Sequence, residues 1–393
     1  MMPESSAQPN WPTAKAHTLA MGKSLTVDCN EPPDTFVALT AVALSILIPS
    51  ESTLTQCQDS VYTAQRSALQ PRSHTPYDSS MTGLTEQLPH TAAFPNALGT
   101  GLLLHTASAL GGDLQQHIED LISDYENVLS RFKGDSIVGQ MRVATHGGTF
   151  DFPDWTLNLF DLYDHLFSAT NGAIDPCVGE DLIRLGYDKS YSSVNEPNAA
   201  EHTGAIHGRA TWDHAIEHHG TTLVTHGPVA LDFGACGKGY LVDLIAERLG
   251  VAQSDLRYVI DAGGDLLAHT SEPITIALED PSDPANAVGV AEISQGAFCA
   301  SSPSRRHWTD AAGHQLHHLL NAIDGVPVNS VAATWVAATP PSLATAQADG
   351  LATALFTTPA AQLRAHFPFE CAILTADRSA AQSPDFPGSF FMR

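Results

Sequence analysis

One stretch constrains this chain more than any other: Leu231-Asp232-Phe233-Gly234-Ala235-Cys236-Gly237-Lys238-Gly239-Tyr240. An apolar strand pattern over Val229–Phe233 enters a glycine-rich turn. The turn opens directly into a helix, expected over Tyr240–Leu249 and stopped by Gly250. Glycine permits positive φ and close backbone approach, and a helix N-terminus offers unpaired N–H groups to an anion. Lys238 adds positive charge in a chain with only five lysines, of which Lys133, Lys189 and Lys238 lie beyond residue 90. The spacing is neither a Walker A loop nor GxGxxG. It suits a phosphate or pyrophosphate; the alternative is an ordinary tight turn with a solvated lysine.

At 393 residues the chain has room for two packed lobes. Its 43 Asp+Glu against 18 Lys+Arg give a formal charge of −25. That balance argues against nucleic acid or an anionic membrane surface as partner, because both need clustered cations. The six cysteines form no CxxC and no regular framework, so neither a structural zinc nor a disulfide-stapled module is expected. Residues 1–90 read as a low-complexity, disordered N-terminal extension, and residues 91–393 as the folded domain. The apolar run Thr35–Ile48 is short for a membrane span and follows a long segment that is not basic. No stable span is therefore expected, and the cytoplasm is the expected compartment. The alternatives are anchoring or export through this run, or a start at Met81.

Beyond residue 90 helical and strand periods alternate. Leu114–Phe132 carries apolar residues at 114, 118, 121, 122, 125, 128, 129 and 132, the stripe of an amphipathic helix, and Trp155–Ser168 is a second. Residues 189–227 read as an irregular, His-rich excursion. There His214 and His218 have metal-compatible spacing, but no carboxylate or Cys pattern completes a site. Strands are expected at Tyr258–Ile260, at Ile274–Leu278 (closed by Glu279-Asp280-Pro281), at Val331–Ala338 and at Cys371–Leu374, the last before a loose tail. A helix is expected from an N-cap at Ser342 to Phe356. The fold class is α+β (mixed α/β), with strand order left open.

Two further constellations could carry chemistry. Asp349 and Thr353 stand four apart on a helix and share one face, so a carboxylate and a hydroxyl could meet a hard cation such as Mg²⁺. The bland alternative is a polar helix face. In His317-His318-Leu319-Leu320-Asn321-Ala322-Ile323-Asp324-Gly325, an imidazole stands at the mouth of a strand-like pair, where a neutral His is a competent general base. The alternative is a pair of surface histidines.

The order of these motifs resembles the ApbE-type FAD:protein FMN transferases over about residues 94–376. Asn96-Ala97-Leu98-Gly99-Thr100 is similar to the family's Met-Gly-Thr entry, and Leu129–Ser136 to its Ser-x-aromatic segment. Asn171–Pro176 is similar to its Gly-Ala-Phe-Asp turn, and LDFGACGKGYLVD to its glycine-lysine signature. DAGGD resembles GGD/GGE, His318–Gly325 resembles His-Ile-Ile-Asp-Pro-x-Thr-Gly, and Ala348–Thr353 resembles Ala-Asp-Ala-Leu-x-Thr. Asn321-Ala322 replaces the usual Asp-Pro, and Cys299-Ala300-Ser301-Ser302 replaces Ala-Thr-Ser-Gly. The resemblance implies two interlocked lobes with FAD in the cleft. Leu98, Phe132, Ala173, Ile174, Asp175, Asp232, Lys238 and Leu319 would contact FAD. Asp349, Thr353 and the main-chain carbonyl of Ala235 would bind Mg²⁺, and His318 would be the base. FMN would pass from FAD to a Thr or Ser hydroxyl of an acceptor flavoprotein, releasing AMP. Two alternatives use the same pocket: a metal-dependent FAD pyrophosphatase, and a flavin-binding protein without turnover.

Overall fold

The computed structural model describes residues 83–310, 313–339 and 343–391, with the backbone of three two-residue strands before them, Ala14–Lys15, Leu19–Ala20 and Phe36–Val37. The remainder of the expected extension, with most of Thr35–Ile48 and Met81, lies outside the described residues. So does the expected helix cap Ser342.

A twelve-stranded sheet forms the frame. Its main path runs through β1 (His90–Phe94), β2 (Leu102–Thr106), β3 (Tyr258–Asp261), β4 (Asp265–Asp280), β5 (Asp283–Ser301), β6 (Val331–Ala338), β7 (Glu370–Thr375) and β8 (Ser379–Gln382). Each strand is antiparallel to the next. Spatial order therefore follows chain order, interrupted where helices are inserted. Between β2 and β3 come α1 (Gly112–Leu129), α2 (Leu157–Ala169) and α3 (Gly237–Ala252); between β6 and β7 comes α4 (Ala344–Ala354). Helices packed on an antiparallel sheet make an α+β fold.

The strands alternate between two cores, as a side-chain period of two requires. Ile260, Leu267, Cys299 and Val336 face the helices and join Ile118, Tyr125, Leu166, Tyr240 and Leu351. Val259, Leu266, Phe298 and Trp335 face the other side, which Leu84, Leu88, Phe386 and Phe390 close. Leu84 belongs to a short helix, Gly83–Gln87, ahead of the expected boundary. A smaller cluster joins Leu182, Leu185 and Ala199 to Leu316 and Leu320, so the excursion after α2 and the hairpins beyond β5 form a side lobe.

Some elements run differently from expectation, each for a physical reason. Val229–Phe233 is not a strand: the Val229 N–H donates to the Met141 carbonyl (3.3 Å) and the Asp232 N–H to the Pro176 carbonyl (2.7 Å). Its apolar residues record burial against the helices, not ladder pairing. α1 ends at Leu129 instead of Phe132, and α4 ends at Ala354, short of Phe356. α3 starts at Gly237 and continues through Gly250 to Ala252, because an exposed glycine costs a helix only about 1 kcal/mol. Ile274–Leu278 is the middle of a sixteen-residue strand that bulges after His269. After β7 the chain is not loose: β8 follows, and Gly388–Phe390 pairs with β5. Within the His-rich excursion, Ile216–His219 and Thr222–Thr225 form a hairpin extended by Gly148–Asp151. There His218 packs edge-on against Trp212, centroids 4.4 Å apart, while His214 is exposed beside Asp213. Among the described residues no helix is long and apolar enough to cross a membrane.

Candidate active site

Cys236 is the N-cap of α3, which makes Gly237, Lys238 and Gly239 its first three helical residues. Lys238 Nζ lies 2.6 Å from Asp265 Oδ2 and 3.1 Å from Asp349 Oδ1. Both carboxylates are buried, at 1% exposure. The sheet supplies Asp265 as the first residue of β4, after a Gly263-Gly264 turn whose φ values of +72° and +106° suit glycine. Asp349 comes from α4, and its Oδ2 also accepts the Gly239 N–H at 3.0 Å.

Two carboxylates around one ammonium leave excess negative charge in a dry site. Burial and then the Asp265 carboxylate push the Asp349 carboxyl well up, against Lys238 and the Gly239 N–H. Burial alone would lower Lys238, but Asp265 and Asp349 outweigh it and hold the ammonium above its usual range. Asp265 Oδ1 has no hydrogen-bond partner among the described residues. Thr353, one turn beyond Asp349, places Oγ1 3.4 Å from Ser301 Oγ at the end of β5. This is an all-oxygen donor set with an unpartnered carboxylate oxygen, and it fits a hard divalent cation. Among the described residues no three His, Cys, Asp or Glu side chains are grouped to hold a metal. Mg²⁺ here would therefore rely on hydroxyl and main-chain oxygens as well. Ala235 stands in the turn leading into α3 and is half-buried.

The segment before that turn fixes the second half of the site. Asp232 accepts the Gly234 N–H at 2.7 Å and forms an ion pair with Arg131 Nε. Burial would raise the Asp232 carboxyl; Arg131 more than offsets this and holds it below the usual range. The Arg131 guanidinium lies 4.2 Å over the Phe132 ring and 4.9 Å over Tyr187. Tyr191 stacks on Phe132 at 5.4 Å, and Trp308 on Tyr187 at 5.8 Å. Phe132 and Tyr187 thus each carry the Arg131 guanidinium and a stacked ring, a packed aromatic shelf beside the pinned Asp232 carboxylate.

His318 borders this shelf, its ring 6.4 Å from Tyr187 and its Nδ1 3.3 Å from the Arg306 carbonyl. A carbonyl only accepts, so Nδ1 carries the hydrogen and Nε2 the lone pair. Burial, then the Arg306 charge, pushes the imidazole down to about 3, with Lys238 adding to the push. His318 is neutral at pH 7. His317 is placed otherwise: it ends the strand Gln315–His317, is buried, and its Nδ1 accepts the Leu319 N–H at 3.2 Å.

The remaining expected contacts touch this surface less directly. Asp175 accepts the Cys177 N–H (2.8 Å) and pairs with Arg209 (3.1 Å). Arg209 also binds Asp181 (2.8 Å) and the Ala322 carbonyl (2.7 Å). The Asp175 carboxylate is thus engaged within the fold, while the Ala322 N–H donates to the Ala173 carbonyl and ties Ala173 and Ile174 to the His318 loop. Leu319 is buried, its carbonyl bonded to the Val328 N–H. Leu98 has a left-handed φ of 53°, with its N–H held by Glu126 Oε1 at 2.8 Å. Sequence reasoning assigned no role to Arg131, Tyr187, Asp265 or Ser301. Arg131, Asp265 and Ser301 stood inside quoted motifs, but their partners are distant in the chain.

The sequence pattern of the ApbE family matches residues 98–369. The chain is 23% identical over 250 residues to an FAD:protein FMN transferase of Klebsiella pneumoniae (strain 342), covering 62% of this chain and 70% of that protein. A protein of the same name from Escherichia coli (strain K12) is 24% identical over 237 residues, covering 58% and 67%. In fold the chain resembles the ApbE protein from Thermotoga maritima MSB8. That comparison has a TM-score of 0.63 at 19% identity and covers 75% of this chain and 97% of that one.

Proposed function

Because this chain belongs to the ApbE family, we propose that it transfers FMN from FAD to a Thr or Ser hydroxyl of an acceptor flavoprotein and releases AMP. The observation that carries this reading is Lys238, held at the start of α3 between two buried carboxylates, with a neutral His318 in its field. In a chain of charge −25 a pyrophosphate is repelled unless local cations receive it. Lys238 alone is outnumbered by Asp265 and Asp349, and the Gly237 and Gly239 N–H groups are already bonded to the Phe233 carbonyl and Asp349, so receiving the pyrophosphate would need a divalent cation beside Lys238. Phe132 and Asp232 would receive the flavin nucleotide at the aromatic shelf, and Leu98, Ala173, Ile174, Asp175 and Leu319 would shape the pocket around it. Asp349, Thr353 and the Ala235 carbonyl would hold Mg²⁺, which when bound supplies positive charge to the pyrophosphate oxygens.

The acceptor hydroxyl oxygen attacks the phosphorus on the FMN side. An O–P bond forms as the P–O bond to the AMP phosphate breaks, His318 Nε2 takes the hydroxyl proton, and AMP leaves with the bonding pair. Little covalent work falls to the protein, so positioning and charge dominate. The test is to supply FAD, Mg²⁺ and an acceptor domain with an exposed Thr. Flavin bound covalently to the acceptor, with equimolar AMP, is the expected result. Free FMN with AMP would make the chain a pyrophosphatase, and unchanged FAD a binding protein; either overturns the proposal.

A further inference from the structure

α4 begins without a cap of its own. Its N-cap position, Leu343, has a left-handed φ of 70° and offers no side-chain acceptor. The free N–H groups of its first turn are met from another helix: Asp243 of α3 accepts the Thr345 N–H at 3.1 Å on one oxygen and the Ala346 N–H at 2.8 Å on the other. The arrangement is reciprocal, because Asp349 of α4 accepts the Gly239 N–H in the first turn of α3 at 3.0 Å. Each helix thus caps the other with a carboxylate, half-buried at Asp243 and buried at Asp349. The backbones meet between the two bonds: a Cβ on Gly239 would lie 2.3 Å from the Thr345 carbonyl oxygen.

The geometry points to Asp243 as a positioning residue, which sets the depth of α4 against α3 and so the place of Asp349 and Thr353 beside Lys238 and Asp265. This rests on the reading of Asp349 and Thr353 as Mg²⁺ ligands. Asp243 touches neither substrate nor reacting atom; it acts through one turn of α4. Loss of its two bonds frees the first turn to shift, and a ligand carboxylate displaced by a fraction of an ångström binds its cation worse. Losing such an outer support costs about 10–100-fold in metal affinity.

The experiment titrates Mg²⁺ alone into the full chain and into Asp243→Ala and Asp243→Asn, by calorimetry well below the unfolding temperature, with thermal midpoints recorded alongside. The expected result is at least a tenfold rise in the Mg²⁺ dissociation constant for Asp243→Ala. Asp243→Asn should fall between, because one carbonyl oxygen can still accept one N–H. A lowered thermal midpoint with an unchanged Mg²⁺ constant in both variants would reduce Asp243 to a structural cap and overturn the inference alone. Failure of both variants to fold would do the same. A wild-type chain that binds no Mg²⁺ would overturn the reading of Asp349 itself, and this inference with it.

Discussion

A hydroxyl attacks phosphorus efficiently only if its proton has somewhere to go, and His318 is the neutral base whose lone pair is free of the Arg306 carbonyl. General-base assistance is worth about 10²–10⁴-fold, and a base held down to about 3 belongs at the low end of that range. His318→Ala should therefore cut acceptor flavinylation by that order and leave FAD affinity nearly unchanged. His317→Ala should lose far less, since its buried ring is committed to the Leu319 N–H. Equal losses in the two variants would show that the register is wrong. At the other end of the site, activity should require a divalent cation and collapse in Asp349→Ala, and Thr353→Val should be milder because a hydroxyl is the weaker ligand. Lys238→Ala should weaken FAD use while Mg²⁺ binding persists. Activity of Asp349→Ala that survives chelation would end the metal argument.

At the scale of elements, α3 contains its own matched experiment. Gly239 lies where α4 crosses, and any Cβ there strikes the Thr345 carbonyl; Gly250, near the far end, has nothing within 4 Å. Gly239→Ala should destabilise the fold by about 1–3 kcal/mol through overpacking. Gly250→Ala should be neutral or stabilise by up to about 1 kcal/mol through helix propensity. Urea midpoints of the two variants decide it, and equal effects would show that the helices are not locked at Gly239. The same contrast shows what the sequence could reveal. The glycine-rich entry to α3 and the Asp349–Thr353 pair were legible because they are local spacings on one element. Val229–Phe233 was misread because burial leaves the same apolar run as a strand. Asp265 lay in plain view in DAGGD, but its partner Lys238 comes from a separate helix and no spacing rule connects them. Asp243 closes the quoted LDFGACGKGYLVD signature, but nothing in that spacing points to the Thr345 and Ala346 N–H groups about a hundred positions onward.

For the whole molecule, two consequences can be measured. Among the described residues the sheet's two cores close on side chains between Leu84 and Phe390, the family match begins at residue 98, and the strands Ala14–Lys15, Leu19–Ala20 and Phe36–Val37 add only two-residue pairings to β8, β5 and β4. Deleting residues 1–80 should therefore preserve the thermal midpoint and FAD turnover; an insoluble or inactive product would place the extension within the domain. The second consequence is the response of stability to acid. Unfolded, His318 takes a proton near its ordinary 6.5; folded, burial and Arg306 defer this to about 3. Between those values the unfolded chain binds more protons, so stability falls as pH drops through the window. Asp181 and Asp243 act in the opposite sense. Burial raises each to about 6, so their contribution is full below about 4 and is lost as pH rises through 6. Total stability against pH therefore mixes the two trends, but a difference between two chains that share both aspartates cancels them. Each pH unit below 6.5 in which only the unfolded chain holds the proton costs the fold about 1.4 kcal/mol, less a discount for the ring's partial exposure. Between pH 7 and 4.5 the wild type should thus lose about 2 kcal/mol more than His318→Gln. Urea unfolding of both proteins at the two pH values measures this. Parallel losses would mean that the folded state protonates His318 as readily as the unfolded chain does, so that burial and Arg306 do not hold the imidazole down.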